Sequence, residues 1–216
     1  MAGENALPPG GRPVGDPPWA PWSPAEVRDR LRAVTVPWYV AAGWALDLFR
    51  GEQTREHEDT EVGVPDTAEA FRQVRSAPAG FEFEPAGSGH LWPLRAAALA
   101  ATHQTWVSEP APTRPDERSG RIYRLDVFRE PYRDGRWVCR HDETIVLPYD
   151  QVIRRNGDDI PYLAPELALL FKAKATRPKD QADFDDVLPL LAPAQRSWLA
   201  GALRRIHPGH KWLDRL

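Results

Sequence analysis

Apolar positions along this chain recur with two periods, a strand-like alternation of two and a helix-like spacing of about 3.6, and from Ala164 onward only the helical spacing remains. Strands first and helices last predict an α+β chain with a mixed sheet, flanking helices and a carboxy-terminal helical subdomain. Ser23-Pro-Ala-Glu26 is a capping box with proline at the first helical position, and Val27, Leu31 and Val34 follow at helical spacing, which predicts a helix over 24–33. The apolar run 38–41 reads as a strand, Gly43 as a turn and 44–49 as a short helix that Gly51 stops. A strand over 59–64 comes next, then a second capping box, Asp66-Thr-Ala-Glu69, with Ala70, Phe71 and Val74 on one helical face. Short strands are expected at 81–84, 90–94 and 104–107, a proline-rich loop at 108–120, and a strand at 121–128. In that strand Tyr123, Leu125 and Val127 share the core face, so Asp126 should face a cleft. Residues 137–139 and 143–147 form a strand pair around His141-Asp142. Three helical stripes complete the chain, one through Leu167, Leu170 and Phe171, one through Phe184, Val187, Leu188 and Leu191, and one from Trp198 to Ile206, with Pro178 and Pro193 opening the second and third. The linear division that follows is a Pro/Gly-rich arm at 1–22, expected to be disordered or loosely draped with Trp19 and Trp22 as points of attachment, an α/β domain at 23–160, and helices at 161–216 that close the cleft.

Composition narrows the function. With 216 residues the chain can build a real core, and its single cysteine, Cys139, rules out a disulfide within the monomer and fits a reducing cytoplasm. Neither a signal peptide nor a membrane-spanning apolar run is found, so a cytoplasmic location is expected. A net charge of -3 gives no basis for nucleic-acid binding and favours a small-molecule substrate. The glycine signatures of P-loop and Rossmann proteins are missing, as is zinc-ligand spacing. Gly87-Ser88-Gly89 imitates a nucleophile elbow, but Pro85-Ala86 before it reads as loop.

The chemistry concentrates between Tyr39 and Val64. A strand places Asp59 and Glu61 on one face, where two carboxylates repel each other unless a cation sits between them, and a hard ion such as Mg²⁺ favours such oxygens together with nucleotide phosphates. At the mouth of the preceding helix, Gly43 leaves backbone N–H groups open to an anion.

Ala42-Gly43-Trp44-Ala45, Thr54-Arg55-Glu56-His57 and Asp59-Thr60-Glu61 stand in the order of the nucleotidyltransferase superfamily, and the chain most closely resembles its aminoglycoside 2''-adenylyltransferase-like branch. Arg124-Leu-Asp126-Val-Phe128 resembles the strand of the third carboxylate, and Tyr162 to Glu166, Phe171 to Lys174, Lys179-Asp180 with Asp183-Phe184, and Gly209-His210-x-Trp212 extend the likeness to the carboxy terminus. The resemblance implies Mg²⁺-dependent transfer of a nucleoside monophosphate, AMP from ATP, to a hydroxyl of a small, aminoglycoside-like molecule, and with it a role in bacterial antibiotic resistance. Metal ligands would be Asp59, Glu61 and Asp126, the catalytic base Asp126, and the nucleotide contacts Gly43, Trp44 and Arg55, although the fork of Arg55 suits equally a carboxylate that caps the loop. Lys172, Lys174 and Lys179 are either phosphate contacts or a solvated face, and Lys179 with Asp180 and Asp183 reads as a structural network. Two departures stand out: Ala42 replaces a glycine and Glu61 an aspartate. They leave room for an alternative, a non-catalytic binding or regulatory protein of antitoxin-like type. Ala42→Gly is expected to restore backbone approach to a phosphate at a small cost in stability.

Overall fold

The structure, a computed structural model, describes residues 7–110 and 121–216. The first residues of the arm, 1–6, and most of the expected loop, 111–120, lie outside the described residues. In chain order the elements begin with β1 (Arg12–Pro13), α1 (Pro24–Arg30), β2 (Tyr39–Val40), α2 (Ala42–Arg50), β3 (Glu61–Pro65) and α3 (Ala68–Ser76). They continue with β4 (Glu82–Gly87), β5 (His90–Leu91), α4 (Ala96–Ala101), β6 (Gln104–Ser108) and β7 (Tyr123–Glu130). Then come β8 (Tyr132–Arg133), β9 (Arg136–Cys139), β10 (Asp142–Leu147), α5 (Tyr149–Val152), β11 (Ile153–Arg155) and β12 (Pro161–Leu163). Three helices follow, α6 (Pro165–Lys172), α7 (Pro178–Val187) and α8 (Pro193–Ile206), with Pro165, Pro178 and Pro193 in their first turns. Among the described residues no helix is long and apolar enough to cross a membrane.

Contacts divide the chain into two compact units in an order that the linear reading does not follow. One unit takes in the chain up to Pro37 together with Glu58–Glu130, and the other Trp38–His57 together with Pro131–Leu216. The segment with Gly43 and Arg55 thus falls in the same unit as the late helices. Its strand β2 pairs in parallel with β12, and the Trp137 indole donates to the Tyr39 hydroxyl at 3.0 Å in the core.

In the first unit the sheet runs β1-β5-β4-β6-β7-β3. It is mixed, because β3 and β7 are parallel while the other pairs are antiparallel. Val62, Leu125 and Val127 are fully buried on its core side. The Ser23 capping box forms as expected. At α3 the cap is Thr67, whose side chain accepts from the Ala70 amide, and this shift by one residue frees Asp66 to pair with Arg129. The strand β4 extends through Pro85 and Ala86, which the sequence had assigned to a loop. Pro85 is tolerated because its missing donor falls on the side of the very short β5. Ser88 and Gly89, both at positive φ, then form the tight turn of a β-hairpin, which removes any strand-turn-helix context for a nucleophile.

The described part of the arm is paired rather than disordered. Tyr123 N–H donates to Pro18 O, Ala20 N–H to Tyr123 O and Trp22 N–H to Arg124 O, each at 3.0 Å, which lays residues 18–22 along β7 ahead of β3. Trp22 is buried against Phe81, and Arg12 reaches Glu84 and the Tyr123 hydroxyl. The helix α4 has no counterpart in the pattern of polar and apolar positions, since a run of alanines has high helix propensity but no stripe.

In the second unit β2, β12 and β11 form one sheet segment and β10-β9-β8 a second sheet, with Asp134-Gly135 at positive φ turning β8 into β9. Residues 161–163 are strand, so the helical region begins at Pro165.

Candidate active site

Asp126 lies in the middle of β7, directly opposite Glu61 on the parallel strand β3 and Trp106 on the antiparallel strand β6. Paired residues point to the same face of a sheet, so the register alone sets Glu61, Asp126 and Trp106 side by side. The expected face is correct, but Asp126 is only 3% exposed instead of open to solvent. Two neighbours hold it: Gln104 Nε2 and Trp106 Nε1 donate to Oδ2 at 2.9 and 3.2 Å. The other oxygen, Oδ1, is buried and has no hydrogen-bond partner. Burial first, then the charges of Glu61 and Asp59, hold the Asp126 carboxyl well above the usual carboxylate range. The strand β3 begins at Glu61, so Asp59, expected within it, lies two residues ahead of it, and Thr60 between the acids is fully buried, its hydroxyl donating to Trp22 O at 2.7 Å.

These groups fit a hard divalent cation in donor type and charge. Glu61 lies opposite Asp126, the charge of Asp59 is felt there as well, and the buried Oδ1 is an oxygen that no protein donor fills. They are not a closed cage, since among the described residues no three His, Cys, Asp or Glu side chains are grouped to hold a metal. Gln104 and Trp106 were not legible as partners of Asp126, because their strand was expected but its neighbour in the sheet was not.

The second unit contains Gly43, Trp44 and Arg55, and each has packing partners there. A Cβ at Gly43 would overlap Arg55 Nη2 and lie 2.6 Å from His57 Cε1. The guanidinium of Arg55 bonds both oxygens of Asp183 at 3.1 Å, and Trp44 stacks on the His57 ring at 4.2 Å between centroids. His57 Nε2 lies 2.6 Å from Asp47 Oδ2, while Nδ1 is 3.2 Å from Arg55 Nη1. Arginine can only donate, so Nδ1 is the acceptor and Nε2 carries the proton given to Asp47. Burial, with the Arg55 charge, depresses the His57 pKa against the pull of Asp47, in keeping with this neutral tautomer.

The network continues through a residue that the sequence left undecided. Lys172 is buried on α6, and its ammonium contacts Asp180 at 2.9 Å and Asp183 at 2.8 Å, so it is neither solvated nor free for a phosphate. Arg177 closes the far side on Asp180. The sequence sets Lys179 beside Asp180 and Asp183, but the lysine between the two carboxylates is Lys172, eight residues before Asp180.

Ala42 reverses an expectation. No side chain caps α2, and Ala42 in its first turn has φ 51, a left-handed conformation that costs an L-residue about 1–2 kcal/mol relative to glycine. Ala42→Gly should therefore raise stability by roughly 1 kcal/mol instead of lowering it, whereas Gly43→Ala should lower it by about 1–3 kcal/mol through overpacking against Arg55 and His57. Urea denaturation of both variants checks the pair. Equal midpoints would mean that the strain and the overlap are both relieved elsewhere.

Comparison with known proteins agrees with this architecture. Residues 25–80, which carry α1 through α3 with Gly43, Arg55, Asp59 and Glu61, match the family model of the aminoglycoside-2''-adenylyltransferases. The lincosamide antibiotic adenylyltransferase LnuA, bound to lincomycin, superposes with a TM-score of 0.51 over 83% of this chain and 100% of its own, at 16% identity. The chain has a nucleotidyltransferase fold. ANT(2'')-Ia in complex with adenylyl-2''-tobramycin gives the same answer, with a TM-score of 0.52, 13% identity, and coverage of 84% of this chain and 95% of that one. No curated protein matches the sequence at a significant level. Within the nucleotidyltransferase fold, the resemblance to the 2''-adenylyltransferase branch is carried by the segment that the family model covers.

Proposed function

We propose that this protein is a Mg²⁺-dependent nucleotidyltransferase that moves a nucleoside monophosphate, AMP from ATP, to a hydroxyl of a small antibiotic-like molecule. The observation that carries the reading is Asp126, a buried carboxylate with one oxygen clamped and one unpartnered, set beside Glu61 on a parallel strand. Asp59, Glu61 and Asp126 would hold the cation, which when bound neutralises phosphate charge and aligns the attacking and leaving oxygens.

Asp126 also stands as the base. Its clamped oxygen fixes the carboxylate plane, and the raised pKa makes it a better proton acceptor than an ordinary aspartate at the same position. In the second unit the uncapped amino end of α2 is the group for the nucleotide phosphates, through the backbone of Gly43, with Trp44 beside it. Arg55, bonded to Asp183, takes a positioning role, holding the loop before Asp59. A chain that binds nucleotide without turnover is the rival reading, for which Ala42 in place of a glycine and Glu61 in place of an aspartate leave room.

The decisive experiment measures pyrophosphate release with Mg²⁺, each nucleoside triphosphate and a panel that includes tobramycin and lincomycin. In parallel, Mg²⁺ with a triphosphate should raise the melting temperature, by about 2.7 kcal/mol of stability at a hundredfold excess over Kd, and Asp59→Ala should cancel the rise. A rise without pyrophosphate release from any acceptor establishes the binding-only reading. No rise and no release overturn both.

A further inference from the structure

The first unit holds a cavity of about 620 Å³ at the end of β3 and β7 opposite to the carboxylates, lined by Asp66, Phe71, Arg72, Arg75, Leu99 and Arg129 among others. Asp66 lies five residues of extended chain beyond Glu61, roughly 16 Å at the rise of a strand, so the cavity is separate from the acidic cluster.

Three arginines meet at this cavity, and their environments differ. Arg129 is buried, only 7% exposed, and fixed by Leu99 O at 2.7 Å and by Thr102 O. Its ionic partner is Asp66 at 3.2 Å, a side chain 55% exposed and therefore a weak competitor for the guanidinium. Its Nε has no hydrogen-bond partner, and burial depresses its pKa, two signs of a cation with incomplete compensation. Arg72 is held on the exposed face of α3 by Glu69, and Arg75, one turn on, is exposed on the same helix. The rest of the wall is apolar: Phe71 and Leu99 with Ala68 and Ala96.

Two exposed guanidinium groups, one of them paired with Glu69, lining the same cavity as a buried one suit an oxyanion with more than two oxygens, because each planar fork engages a separate edge. The aromatic and aliphatic wall calls for a flat apolar substituent on that anion. We propose that this cavity is a second binding site, for a small phosphomonoester with a flat apolar ester group, its phosphate held by Arg72, Arg75 and Arg129 and its ring lying against Phe71 and Leu99. The ligand displaces Asp66 from Arg129 as it enters.

Isothermal titration calorimetry of the full chain with phenyl phosphate tests this. One-to-one binding is expected, weakened at least tenfold in Arg75→Glu and in Arg72→Glu, and strengthened in Asp66→Asn, which removes the competitor. These positions are exposed, so the variants should keep the wild-type melting temperature within a few degrees. Benzoate and inorganic phosphate, which each lack half of the recognised chemistry, should bind at least tenfold more weakly than phenyl phosphate. Unchanged phenyl phosphate binding in both charge reversals overturns the site, as does no heat up to millimolar ligand. Equal binding of benzoate or of inorganic phosphate overturns the assigned ligand class.

Discussion

Asp126→Asn is expected to raise the melting temperature of the ligand-free protein by a few degrees while it reduces nucleotidyl transfer by at least 10² to 10⁴, the usual scale for removal of a general base. The two effects have one origin. Asp126 is buried beside Glu61 and Asp59, so its folded-state pKa lies well above the unfolded value. A carboxyl with a raised pKa binds its proton more tightly when folded, so its contribution to stability is complete below the unfolded pKa and is lost as pH rises through the folded one. At neutral pH the wild type carries that loss and the asparagine variant does not. The amide oxygen still accepts from Gln104 and Trp106, and the neutral amide no longer sets a like charge opposite Glu61. The melting difference should therefore grow from acid to neutral pH. Calorimetric melting across that range, with pyrophosphate release at neutral pH, checks both halves. A variant that melts below wild type throughout and still turns over would remove Asp126 from the centre of the reading.

Lys172→Met should produce the largest loss of stability. The side chain is close in length and apolar, so it fills the space but leaves Asp180 and Asp183 facing each other without the cation between them. Breaking a buried pair typically costs about 3–5 kcal/mol, and because Arg55 and Arg177 still hold the outer edges, the low end applies, roughly 6–12 °C in melting temperature for a chain of this size. Burial would raise the pKa of both aspartates, but the hydrogen bonds from Arg177 and Lys172 to Asp180, and from Arg55 and Lys172 to Asp183, outweigh it and hold both below the ordinary range. Their stabilisation is present above the unfolded carboxylate pKa and is lost as pH falls through the folded values. With the lysine gone that depression shrinks, so acid unfolding should begin at a higher pH than in wild type. Adding Asp180→Asn to Lys172→Met should recover part of the loss, as coupled neighbours do. A single variant that melts within one degree of wild type would show that the two arginines alone satisfy the pair.

Local signals were legible wherever the interaction is local. The Ser23 capping box, the Gly51 stop and the proline-initiated helices each depend on residues within a turn or two of one another, and each stands where the pattern put it. The two-residue period of 121–128 was enough to put Asp126 opposite the core face of Leu125 and Val127. The nucleotidyltransferase fold was legible as well, from the order of the motifs between Ala42 and Glu61, although overall identity to the matched structures is low.

What the pattern could not contain is which strand lies beside which, since hydrogen-bonded ladders join residues far apart in the chain and leave no mark on periodicity. That ordering decides that Asp126 meets Gln104 and Trp106, that residues 18–22 of an apparently unstructured arm pair with β7, and that Lys172 rather than Lys179 separates Asp180 from Asp183. Ala42 is the smallest case. Its identity as an alanine in a glycine position was plain from the chain, but the sign of its effect on stability depends on a positive φ that packing imposes on the entrance to α2. Residue types and their spacing determined the kinds of element and the inventory of charges, because these depend on neighbours in sequence. The tertiary structure alone decided which charges are buried together, because burial is set by what the rest of the chain lays over them.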